Sequence, residues 1–111
     1  MREITVDDKT MRVRANPLAL LFYKQEFKAD LIGDFTKMQK ARKDPSQFDS
    51  IGLLQIVWAM AKADSPKEFP SFVKWLEGMQ SFDFSDPVLL AAVVEEAADG
   101  FFRRGAAGHK K

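Results

Sequence analysis

The chain has 111 residues, 30% of them charged, with a net charge of +1 and no cysteine. That length suits one domain burying about 65% of the surface its unfolded chain exposes. Lack of cysteine excludes disulfides and thiolate metal sites, and near-neutral charge lacks the basic excess of a typical nucleic-acid binder.

Residues 3–14 alternate apolar and polar, with Ile4, Val6, Met11 and Val13 on one face and Asp7-Asp8-Lys9 as turn chemistry between two runs. This predicts a β-hairpin. A lone hairpin is marginal in water, so its apolar face must be covered. Asn16-Pro17 opens a helix to about Ala29, because Asn caps free N–H groups and Pro at the first position has none to leave unpaired. Leu18, Leu21 and Phe22 form one stripe, and Leu20 and Phe27 a second, which predicts contact on two sides.

Leu31, Phe35 and Met38 recur at helical spacing, but Gly33 weakens that stretch, so the second helix is expected from about Asp34. Asp44-Pro45 breaks it. The next helix runs from about Pro45 or Phe48 to Ala63. Ile51, Leu54, Trp58 and Ala61 share a face that Leu53, Ile56, Val57 and Met60 widen. A helix apolar nearly all round is central. Pro70-Ser71 leads into a helix with Phe69, Phe72, Val73, Leu76 and Met79 inward and Lys74 and Glu77 outward. Asp86-Pro87 opens the last helix, to about Arg103, with Leu90, Val94, Ala97 and Phe101 in line and Leu89 and Val93 beside it; Arg103 and Arg104 suit its C-terminal dipole.

The expected fold is therefore helix-dominated α+β: an N-terminal hairpin (residues 1–15), then four or five helices (16–104) in the same domain, and a flexible tail (105–111). Residues 51–61 are uncharged but too few to span a bilayer at roughly 20 residues. Residues 1–4 lack the apolar run of a secretion signal, so a cytoplasmic, soluble protein is expected.

Catalytic parts are scarce. His109, the single histidine, falls in the tail, where nothing fixes its tautomer. Asp7 and Asp8 read as turn formers. Adjacent Glu95 and Glu96 diverge by about 100° around a helix; with Asp99 they could gather a cation, but a solvated face is the plainer reading. There is no calcium loop, phosphate-cradling glycine loop or Gly-x-Ser-x-Gly elbow. No enzyme, metal or cofactor is expected. The basic residues 37–43 read as a solvated helix face and loop, or alternatively as the contact of a small nucleic-acid-binding or regulatory module.

Aromatic content is the more informative departure: ten Phe, two Trp and one Tyr. One core can take most of them. Phe82, Phe84, Phe101 and Phe102 are harder to place together. They form either an exposed protein-binding patch or part of the core edge. Methionines 38, 60 and 79 could let a groove adapt, or belong to the core.

Several features follow one another along the chain: the hairpin, Asn-Pro-Leu-Ala-Leu-Leu-Phe-Tyr-Lys-Gln-Glu-Phe, a Gly-Asp break, a Trp-Ala-Met helix, a Phe-x-x-Trp-Leu helix, and an ending of Gly-Phe-Phe-Arg-Arg. This layout resembles the small tail-assembly chaperones of long-tailed phages and prophages of Gram-positive hosts, over residues 3–31 and 51–103. The resemblance implies a protein without catalytic residues that binds the long helical tape-measure protein and keeps it soluble in the host cytoplasm. It further implies self-association into a homo-oligomer, absence from the finished virion, and in many members a longer frameshifted form. Lys110-Lys111 is compatible with a slippery codon pair. Neither membrane nor nucleic acid is an expected partner on this reading.

Overall fold

A computed structural model describes residues 1–41 and 49–102, with residues 40 and 41 described by their backbone. Two strands, β1 (Arg2–Val6) and β2 (Lys9–Val13), precede five helices: α1 (Pro17–Phe27), α2 (Leu31–Ala41), α3 (Ser50–Asp64), α4 (Phe72–Glu77) and α5 (Pro87–Phe101). The expected helix-dominated fold with an N-terminal hairpin is what forms. Several features of the sequence reading lie outside the described residues, among them the Asp44-Pro45 break, the Arg103 and Arg104 pair, and the tail with His109.

The hairpin pairs Arg2 with Val13, Ile4 with Met11 and Val6 with Lys9. Its turn is Asp7-Asp8, at φ 56° and 63°. Positive φ at both positions suits the right-handed twist of the strands, and aspartate accepts it more readily than most residues. Lys9 belongs to β2 rather than to the turn. Ile4, Val6 and Val13 are buried and Met11 half-buried, as the alternation predicts. β1 lies against α5 and β2 against α3.

Side chains set most helix starts. Asn16 accepts from Ala19 N, Asp49 from Gly52 N, Ser71 from Lys74 N, and Asp86 from Val88 N and Leu89 N. Each pairs an N–H that the helix cannot satisfy itself. Helix α2 begins earlier than expected because Asp30 accepts from Gly33 N at 3.2 Å. The cap offsets the poor propensity of a glycine that sits in the first turn. Helix α1 ends sooner than Ala29, with Lys28 in the left-handed conformation at φ 55°.

Helix α3 is the axis of the core, with nine buried residues. Trp58 sits at its centre, and its indole Nε1 donates to Pro70 O at 3.1 Å. Phe27 and Phe72 meet its ring edge-on at 5.4 and 6.3 Å between centroids. Tyr23 and Phe27 add another edge contact at 4.9 Å, and Phe72 stacks on Trp75. Such edge and offset geometries suit the ring quadrupole. Lys62, one turn beyond Trp58, holds Nζ over the Phe22 ring at 4.6 Å, which keeps its charge near water while its stem covers apolar surface.

Several expected core positions are corrected. Leu18 and Leu21 face outward, and α1 buries Ala19 and Tyr23 instead. Small Ala19 permits close packing, and Tyr23 can enter the core because its hydroxyl finds partners there. Ile51 lies in the exposed first turn of α3, and Val73 stands outward on α4 while Trp75 turns in. On α5 the buried line is Leu89, Val93 and Ala97, and Leu90, Val94 and Phe101 are only partly covered. Among the described residues no helix is long and apolar enough to cross a membrane.

Candidate protein-binding surfaces

The four singled-out phenylalanines form two pairs with different fates. Phe82 and Phe84 pack ring to ring at 4.8 Å. Both are partly buried against the core. Residues 82–86 hold a bend in which Ser85 donates its hydroxyl and its N–H to Asp83; the hydroxyl bond and then the N–H bond keep that carboxyl below the usual carboxylate range. Phe101 also packs on the core edge. Phe102 alone stays largely open, 47% exposed, with its ring 5.8 Å from Phe35 of α2. The fourfold patch therefore does not form as one surface at full exposure: three rings serve the core edge.

Other apolar side chains take the surface. Leu18 and Leu21 are 41% and 49% exposed one turn apart on α1, and side chains at that spacing share a helix face. Val73 and Val88 stand out singly on α4 and α5. Met38 and Met60 are core residues, whereas Met79 is only partly covered.

Two clefts border β2. One, of about 230 Å³, lies between the hairpin and α4 and is floored by Val6, Met11, Trp75 and Met79. The other, of about 290 Å³, lies toward the end of α3 and shares Met11, Pro70 and Trp75 with the first.

Several ionisable groups are engaged in structure. Glu96 is not on a solvated face; it is 6% exposed. Its Oε2 accepts from Ala15 N at 2.9 Å and lies 3.4 Å from the Met1 amine, and Oε1 is 3.6 Å from Arg2 Nε. Arg2 also reaches Glu95 at 3.4 Å and Asp99 at 3.0 Å. The acids therefore hold the open end of the hairpin to α5. Asp64, at the end of α3 with only its side chain buried, pairs with Arg12 at 3.3 Å and Arg14 at 3.1 Å. Tyr23 donates to Asp34 Oδ2 at 2.6 Å. Burial first, then that bond and the Asp34 charge, push the phenol well above its ordinary value. Asp7 works in the turn and beyond it, accepting from Gln80 N at 2.9 Å.

Among the described residues no group of three or more His, Cys, Asp or Glu is arranged to hold a metal. Lys37 is exposed on α2, while residues 42–43, the end of the basic segment, lie outside the described residues. Sequence reasoning missed Glu96 because its partners lie 81 residues and more away along the chain; adjacent acids on a helix look the same whether solvated or paired. It missed the clefts because Met11, Trp75 and Met79 meet only through the tertiary fold. Comparisons with protein families, with curated proteins and with solved structures return no match for this chain.

Proposed function

We propose that this protein works by binding another polypeptide, as a tail-assembly chaperone of a long-tailed phage or prophage that holds the tape-measure protein soluble until tail-tube subunits polymerise around it. The order of elements supports the reading through the resemblance of its layout to that family. One observation carries it physically: Leu18 and Leu21 stand on the outer face of α1. A tape-measure chain exposes long apolar helical stripes, and an apolar ridge at one-turn spacing can enter the groove of such a helix. Acids that might serve catalysis are instead tied to partners that stabilise the fold: Glu96, Asp64 and Asp34 each hold a distant element.

Co-expression tests the proposal. The wild-type chain is expected to keep the neighbouring tape-measure protein in the soluble fraction and to co-purify with it, forming oligomers as its concentration rises. The double variant Leu18→Glu/Leu21→Glu is expected to fold with an unchanged thermal midpoint and to lose most of the solubilised tape-measure. A strictly monomeric chain that leaves the tape-measure insoluble contradicts the proposal.

A further inference from the structure

We draw no further inference here: the strongest candidate, the pair of clefts beside β2 that share Met11, Pro70 and Trp75, is lined by charges of both signs, with Asp7, Lys9 and Lys74 in one and Arg12 and Asp64 in the other, and nothing in the structure shows what covers it.

Discussion

The core around α3 and the seam between the hairpin and α5 are held by opposite kinds of chemistry. Around α3, Phe27 and Phe72 are set edge-on to Trp58, and β2 reaches this helix through Arg12 and Asp64. On the β1 side, α5 is fastened by a buried carboxylate, Glu96, that takes the Ala15 N–H and faces Met1 and Arg2. Aromatic packing is non-directional in its main term and spreads over many neighbours, so it tolerates adjustment but loses much when a large ring is removed. A buried carboxylate is directional and depends on a few partners. Removing it leaves those partners unpaired, although the same site gains little over a well-packed apolar one. The comparison teaches that the aromatic side supplies stability and the acidic side fixes where the strand pair docks.

The strongest way to break the comparison is at the ring. Trp58→Ala is expected to cost about 3–5 kcal/mol by chemical denaturation, with amide-exchange protection falling throughout the core. A loss confined to α4 would contradict the central position of Trp58. Next comes Glu96→Ala, expected to cost about 2–3 kcal/mol, since it leaves Ala15 N–H without its acceptor and Arg2 without its closest buried partner. Exchange should rise first in β1 and at Ala15 while the residues around Trp58 stay protected. Glu96→Gln, which keeps an acceptor for Ala15, should recover part of the loss; no recovery would mean that charge alone fastens the hairpin.

A steric test sharpens the same junction. A Cβ at Gly100 would clash with Ala15 O, so Gly100→Ala must push α5 from the segment after β2. The expected cost is about 1–3 kcal/mol. A neutral result would show that α5 can shift without disturbing Glu96.

The smallest effect at neutral pH lies on the aromatic side. Tyr23→Phe forfeits the bond to Asp34 and should cost about 1 kcal/mol there. Its pH dependence is more telling. The folded phenol holds its proton above the ordinary value of 10.0, so the unfolded chain releases its proton first as pH rises. The stability tied to Tyr23 is fully present below pH 10 and declines above it. Wild type should therefore lose its advantage over Tyr23→Phe in alkaline denaturation, and a constant difference across that range would refute the arrangement.

Legibility in the sequence followed the range of the interactions. Alternation around Asp7-Asp8 sufficed for the hairpin, and Asn16-Pro17 and Asp86-Pro87 for two helix starts, because these are local. The start of α2 is not legible from Gly33 alone, because the cap from Asp30 offsets the poor propensity of that glycine. Helix faces were harder. Apolar residues cover most of α1, so composition could not choose between Leu18 and Ala19 as the inward position; the choice depends on Tyr23 reaching Asp34 of another helix. Glu96 was illegible as a fastening because Ala15, Met1 and Arg2 are distant in sequence. Among the four phenylalanines, adjacency of Phe82 and Phe84 suggested a shared direction and their rings do meet, whereas only the tertiary packing separates half-covered Phe101 from open Phe102.

The function proposed here turns on whether a polypeptide, and specifically a long apolar helix, is what the outer face of α1 engages. Co-purification of the tape-measure protein with wild-type chain and with Leu18→Glu/Leu21→Glu decides it. Soluble complex with the first and its loss with a still-folded second is the predicted result. Equal yields from both, or a tape-measure that stays insoluble with either, would contradict it.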